Sequence, residues 1–374
     1  MVQRELQTVI EQQFFKGKAI MVNGPRQSGK TTLLNQIASA ATVPVQILNC
    51  NEPEVRALLT DANIQKLRSL IGAHKLVLID EAQGVKNIGQ ALKLIVDTWP
   101  DIQLLVAGSS SMDIVGKVSE PLTGRVFAYH LYPLSLKELA VTFNRLSEQQ
   151  SLEKRLIFGS YPRVIQLFGQ EKSCLLSLSG SHLYNDVLAC MDIRKPQQLE
   201  ALLISLALQI GSEVSYHQLA QTIKADCKTV ERYIWLLEQC FVIFKIGTFS
   251  LHRGNEVKKV KKIYFYDNGI RNAILQNFAP LNLRQDAGAL WENYFVSERL
   301  KANHYRRRFA NTFFWRTFQR QKIDLIEETD GILAAYAIRW NQSGRPKLPL
   351  AFTAVYPDHH FHAVDRTNYM DFLL

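Results

Sequence analysis

The chain has 374 residues, 47% apolar and 21% charged, with a formal net charge of +10. That composition excludes a disordered polymer and leaves length for two or three domains with real cores. No apolar run approaches the ~18 residues of a spanning helix. The start, Met1-Val2-Gln3-Arg4-Glu5, lacks a signal-peptide stretch, and Cys50, Cys174, Cys190, Cys227 and Cys240 form no C-x-x-C pair. The expectation is a cytoplasmic protein with reduced thiols, no membrane contact and no zinc site. The positive charge is compatible with nucleic acid without requiring it.

In chain order, Glu5 to Ile10 reads as a helix and Ala19-Ile20-Met21-Val22 as a short buried strand. Next comes Gly24-Pro25-Arg26-Gln27-Ser28-Gly29-Lys30-Thr31, which fits the Walker A pattern G-x-x-x-x-G-K-[ST]. Thr32 to Ile37 opens a helix with apolar residues at helical spacing. Gly24 and Gly29 permit backbone angles that a β-carbon would forbid. The loop's N–H groups then converge on phosphate at a helix N-terminus. Residues Gly24 to Thr32 are therefore expected to hold ATP, with Lys30 reaching the β- and γ-phosphates and the Thr31 hydroxyl on Mg²⁺.

Val45 to Asn49 is a second strand. Lys75-Leu76-Val77-Leu78-Ile79-Asp80-Glu81-Ala82-Gln83 is the Walker B pattern: an apolar strand delivering two carboxylates to the ligand crevice. Asp80 is expected to position Mg²⁺ and Glu81 to activate the attacking water, help typically worth ~10²–10⁴ in rate. Ile102 to Ala107 is a third strand and ends in Gly108-Ser109-Ser110-Ser111. Ser109 could sense the γ-phosphate or the lytic water, and it could equally cap a helix. Arg125, in Leu122-Thr123-Gly124-Arg125 before the strand Val126 to Leu131, reads as an arginine finger or as a structural arginine.

Together with Tyr132-Pro133-Leu134-Ser135, in this order and spacing, these pieces resemble a family of prokaryotic AAA-type ATPases whose P-loop domain precedes a C-terminal region of poorly understood function. The resemblance runs to the C-terminus. It implies an α/β fold for residues 1–140, a P-loop NTPase parallel sheet with helices on both faces, followed by a helical lid over 141–205. Within that lid Gly159-Ser160-Tyr161-Pro162 punctuates the helical pattern, Arg163 is a second arginine that could reach nucleotide, and Tyr184 to Val187 is assigned no chemistry.

Residues 206–275 carry a winged helix-turn-helix pattern. Ser215-Tyr216-His217-Gln218 is a capping box for a helix to Ile223, and Asp226 can cap a second helix from Cys227 to Gln239. Val230, Ile234 and Leu237 line its core face, leaving Lys228, Thr229, Glu231 and Arg232 exposed, with Tyr233 and Trp235 expected to pack. Strands Phe241 to Ile246 and Lys262 to Tyr266 flank a basic wing with His252-Arg253 and Lys258-Lys259-Val260-Lys261. Such a unit can read duplex DNA or dock a protein.

Residues 285–374 resemble a restriction-endonuclease-like α/β domain: an amphipathic helix from Gly288 to Glu298, then strands Phe313 to Arg316, Ile323 to Ile326 and Ile332 to Trp340. Active members place Asp on one strand and Glu-x-Lys on the next. Here Asp324 is present, but the next strand reads Ala337-Ile338-Arg339. Glu292 or Glu298 could add a carboxylate, yet one or two oxygens hold Mg²⁺ poorly, so nuclease activity is expected to be absent. His359, His360 and His362, around Phe361, read as a partly exposed strand rather than a metal site. The combined expectation is a Mg²⁺-dependent ATPase coupling nucleotide state to DNA, to a protein partner or to further copies of itself. The alternative is a nucleotide-gated binding switch with negligible turnover.

Overall fold

The computed structural model describes residues 2–109, 122–183, 195–250, 260–317, 319, 321–341 and 346–374. They form two compact units, one with the residues up to Leu134 and Gln239–Phe241, the other with the remainder from Ser135 on.

Among the described residues, the first unit has strands β1 (Ala19–Asn23), β2 (Val45–Asn49), β3 (Leu76–Asp80), β4 (Gln103–Gly108) and β5 (Val126–His130). All pair in parallel, in the order β2-β3-β4-β1-β5. β1, β3 and β4 are buried along their whole length, as central parallel strands covered on both faces must be. Ala19, Met21, Val77, Ile79, Leu104 and Val106 point to one face. There they meet Leu59, Leu67, Ile88 and Leu92 from helices Pro53–Thr60, Ile64–Ile71 and Ile88–Thr98. Helix Lys30–Ala40 packs on β3 and β4 through the other face, burying Leu33, Leu34 and Ile37. Because β4 lies between β1 and β3, the phosphate loop, the end of β4 and the acidic pair line up along one edge. This is the carboxyl edge, where ligands bind in open α/β sheets.

The second unit begins with short helices, Leu136–Phe143, Arg145–Gln150, Leu152–Phe158, Pro162–Gln166 and Glu171–Ser177. The break at Gly159 has a steric cause. Its φ is +69°, and a β-carbon there would stand 2.0 Å from Asp267 Oδ1, whose partner oxygen Oδ2 accepts the Ser160 N–H at 2.7 Å. Tyr184 to Val187 lies outside the described residues.

After helix Pro196–Leu208 come β6 (Glu213–Val214), helix Tyr216–Thr222 and helix Cys227–Gln239. Both expected caps form: Ser215 Oγ accepts the Gln218 N–H at 3.4 Å and Asp226 Oδ1 that of Thr229 at 2.7 Å. Val230, Ile234 and Leu237 are fully buried, while Lys228, Glu231 and Arg232 are exposed. Tyr233 packs as expected, but Trp235 does not: it is 40% exposed. It follows Lys228 by seven residues and so shares the charged face. β7 (Ile243–Thr248) and β8 (Lys261–Phe265) then pair antiparallel, with β6 on the far side of β8. His252, Arg253, Lys258 and Lys259 of the basic run lie outside the described residues.

Strands β9 (Asn311–Arg316), β10 (Lys322–Thr329), β11 (Ile332–Ile338) and β12 (His359–Val364) extend the same sheet, in the order β12-β11-β10-β9-β7-β8-β6. β7 pairs in parallel with β9, Gly247 opposite Phe313, so one sheet crosses the boundary expected near residues 275–285. Helix Ala287–Tyr305 packs on β8 and β11 and is buried on several sides, not on one as its pattern suggested. Trp291 and Phe295 fill the core with Tyr336 and Tyr369. Its buried charges are all paired: Arg299 makes two bonds to Glu327, at 2.9 and 2.8 Å, and Lys301 reaches Glu298 at 2.7 Å.

Candidate nucleotide site

The loop between β1 and helix Lys30–Ala40 is held open by its backbone. Gly29, the residue before the helix, has φ +98°, and Gln27 has φ +60°, a left-handed value seldom adopted with a β-carbon. Gly24 lies against the start of the chain leaving β5: a β-carbon there would be 2.2 Å from the Leu131 carbonyl oxygen. Lys30 is buried, its Nζ donating to the carbonyls of Gly24 at 2.8 Å and Pro25 at 2.9 Å. Arg26 and Thr32 stand exposed at the rim. Thr31 Oγ1 donates to Asp80 Oδ2 at 2.6 Å, which joins the Walker A helix to the end of β3. Among the described residues, neither the buried Ser28 hydroxyl nor the buried Asn23 amide has a hydrogen-bond partner. Buried polar groups are normally satisfied, so the loop fits an anionic, hydrogen-bonding ligand. The Thr31 and Asp80 oxygens, side by side, fit a hard divalent cation.

Glu81 follows Asp80 in a left-handed conformation, φ +54°, and its N–H donates to Asp80 Oδ1 at 2.9 Å. That backbone is uncommon for a residue with a β-carbon and is typical of positions held for chemistry. Ser109, at the end of β4, enters through its main chain, donating its N–H to Gln83 Oε1 at 3.1 Å. Cys50 is fully buried next to this edge. Burial and the nearby Asp80 carboxylate push its thiol up to about 12, so it is inert.

One arginine is not where the site needs it. Arg125 precedes β5 at the opposite end of the sheet, where its carbonyl accepts the Ala19 N–H. Its guanidinium makes a half-exposed ion pair with Asp97 at 2.7 Å. Five strand residues, Val126 to His130, separate it from the loop edge, roughly 17 Å at 3.3 Å per residue, which excludes a finger role within its own subunit. Arg163 is an exposed residue on helix Pro162–Gln166. Conversely, Arg4 carried no signal, yet it is buried and bonds the Ser28 carbonyl at 2.5 Å and the Tyr132 carbonyl at 2.7 Å. A brace reaching the loop from 24 residues upstream leaves no local pattern to read.

In the second unit, Asp324 is buried and ringed by donors: the Ile338 N–H at 3.0 Å, Arg339 at 2.8 Å and Lys322 at 3.0 Å. Burial pushes its carboxyl up, but Lys322, Lys262 and Arg339 outweigh that and hold it below the usual carboxylate range. Glu292 accepts from Lys262 Nζ and the Tyr264 hydroxyl, each at 2.8 Å. Glu298 is turned away, to Lys301 and the Leu136 N–H. Among the described residues no cluster of three or more His, Cys, Asp or Glu could hold a metal ion, the β12 histidines included.

Comparison with known proteins follows this division. Residues 16–140 match an AAA domain, and residues 149–281 and 287–369 match two domains of unknown function. An uncharacterized protein of Mycobacterium tuberculosis is 27% identical over 362 residues, spanning 92% of this chain and 78% of its own. One from Haemophilus influenzae is 25% identical over 274 residues, 67% of this chain and 68% of its own. The solved structure of a Walker-type ATPase of Pyrococcus abyssi superposes with a TM-score of 0.51 at 15% identity, covering 74% of this chain and 96% of that one, a likeness of fold. No helix among the described residues is long and apolar enough to cross a membrane. Residues 16–140 match an AAA domain with a P-loop ATPase fold, and the chain is similar to AAA-type ATPases that carry C-terminal regions of unknown function.

Proposed function

We propose that the chain binds and hydrolyses ATP at the carboxyl edge of the parallel sheet and couples its nucleotide state to the C-terminal region. The observation that carries this reading is the Thr31–Asp80 hydrogen bond beside a buried Lys30. Gly24 to Thr32 would wrap the phosphates, with Lys30 exchanging loop carbonyls for phosphate oxygens. Thr31 and Asp80 would hold Mg²⁺, which when bound neutralises phosphate charge. Glu81 would take the proton of the attacking water. Steady-state ATP hydrolysis tests this. Lys30→Ala should abolish turnover, and Glu81→Gln should bind ATP yet turn it over at least ~10²-fold more slowly. Turnover unchanged in Lys30→Ala would sink the assignment, and a wild type that binds without turnover would leave the nucleotide-gated switch.

For the C-terminal region we propose a winged helix-turn-helix over residues 206–275 on a nuclease-like domain, behind a helical lid over 141–205. The order of β6, the two capped helices and the β7–β8 hairpin supports it. Lys228, Arg232 and Trp235 on one exposed face favour duplex DNA as the partner. DNA should stimulate hydrolysis at low salt and lose that effect as salt rises. Indifference to DNA would turn the same face into a protein-docking or self-association surface. The free thiols Cys50, Cys174, Cys227 and Cys240 suit the cytoplasm.

A further inference from the structure

Gln83 lies two residues beyond the acidic pair, in the single 3₁₀ turn Ala82–Gly84. Both ends of its amide are engaged. Nε2 donates to Glu81 Oε2, and Oε1 accepts the Ser109 N–H at 3.1 Å. These contacts reach two different strands: Glu81 follows β3, and Ser109 follows β4, the strand between β3 and the phosphate-loop strand. The Glu81 backbone is separately set by its N–H on Asp80 Oδ1 and by its left-handed φ. The backbone therefore aims the side chain, and Gln83 holds its carboxylate.

We infer that Gln83 is the positioning residue of the water-activating carboxylate, tying Glu81 to the end of β4; this rests on the ATP-hydrolysis reading above. The amide suits the role for a chemical reason. Its N–H donates to one oxygen of the Glu81 carboxylate and fixes the direction of that side chain. An oxygen in place of that nitrogen would face the carboxylate with like charge. The contribution of Ser109 is then its main-chain N–H, and a displacement of the end of β4 relative to β3 is transmitted to Glu81 through one side chain.

The test is steady-state ATP turnover, with nucleotide affinity measured in parallel, for wild type, Gln83→Ala, the isosteric Gln83→Glu, and each combined with Glu81→Gln. Gln83→Ala should lower kcat about tenfold or more with KM and nucleotide affinity unchanged, since the phosphate contacts are untouched. Gln83→Glu should lower kcat at least as far as Gln83→Ala does, because a second carboxylate repels Glu81 where the amide held it. On the Glu81→Gln background neither change should reduce turnover further, as expected of groups that act as one unit. A Gln83→Ala kcat within about twofold of wild type, an undiminished kcat in Gln83→Glu, or additive losses with Glu81→Gln would each overturn the inference. If wild-type turnover still depends on Lys30, that outcome leaves the ATPase reading standing. A wild type without turnover removes both.

Discussion

Thr31 Oγ1 and Asp80 Oδ2 lie 2.6 Å apart, although 49 residues separate them in the chain. The hydroxyl sits in the first turn of the helix after the phosphate loop, and the carboxylate closes β3, one strand removed from β1. Two oxygens so placed would supply two of the six ligands of an octahedral Mg²⁺ shell, the rest left to water and substrate phosphate. Thr31→Ala should therefore raise the Mg²⁺ concentration for half-maximal turnover by about tenfold or more, with little change in melting temperature. Asp80→Asn should do so more severely. A Mg²⁺ titration of ATP turnover checks both, and an unchanged midpoint would remove these residues from the cation site.

Gly24 is constrained by space. Its added β-carbon would overlap the Leu131 carbonyl oxygen at 2.2 Å, a backbone atom that no side-chain rotation can move. Gly24→Ala should force the loop away from the chain after β5, costing about 1–3 kcal/mol and weakening nucleotide binding even where the fold survives. Urea unfolding and nucleotide titration of the variant measure the two effects separately.

The local parts of this architecture were legible because their signals are contiguous. The phosphate loop, the apolar run ending in Asp80-Glu81, and the caps at Ser215 and Asp226 each lie within a few residues, and each stands where its pattern places it. What was not legible depends on non-local pairing. Nothing near Arg4 announces that it will hold the Ser28 carbonyl, and nothing near Gly247 announces Phe313. The Gln83–Ser109 link requires knowing that β4 inserts beside β3. The burial of Arg299 likewise depends on Glu327 of β10, its ion-pair partner from a distant part of the chain. Trp235 was misread although its spacing from Lys228 placed it outside, since bulk and apolarity argued the other way.

His130 ends β5 opposite Asn23, and its Nδ1 is shielded from solvent. Burial lowers its pKa to about 4, below the ~6.5 of an unfolded histidine. A depressed folded pKa means that the unfolded chain binds the proton first. The associated stability is present above about pH 6.5 and is lost as pH falls through about 4. The loss should amount to about 2–3 kcal/mol, centred on the unit that carries the phosphate loop. Denaturant melts between these limits should show that slope, and His130→Gln should flatten it. An unchanged slope in the variant would assign the acid sensitivity to other groups.

The carboxylates of the region proposed as nuclease-like already face the protein's own cations. Asp324 faces Arg339 and Lys322, and Glu292 faces Lys262, while Ala337 offers a methyl group where a third ligand would be required. A divalent ion would have to displace several resident cations and gain few oxygens in return. Duplex DNA should therefore survive incubation with Mg²⁺ or Mn²⁺, and Mn²⁺ should leave the melting temperature of the Asp80→Asn protein, which lacks the phosphate-loop cation site, unchanged. Asp324→Asn should instead destabilise the fold by about 1–3 kcal/mol, because it weakens the buried acceptor of the Ile338 N–H and removes the carboxylate that Lys322 and Arg339 share. Metal-dependent cleavage that disappears in Asp324→Ala would show that the site is catalytic after all. Destabilisation without any metal effect would show these charges to be a structural ion cluster left in place of a catalytic one.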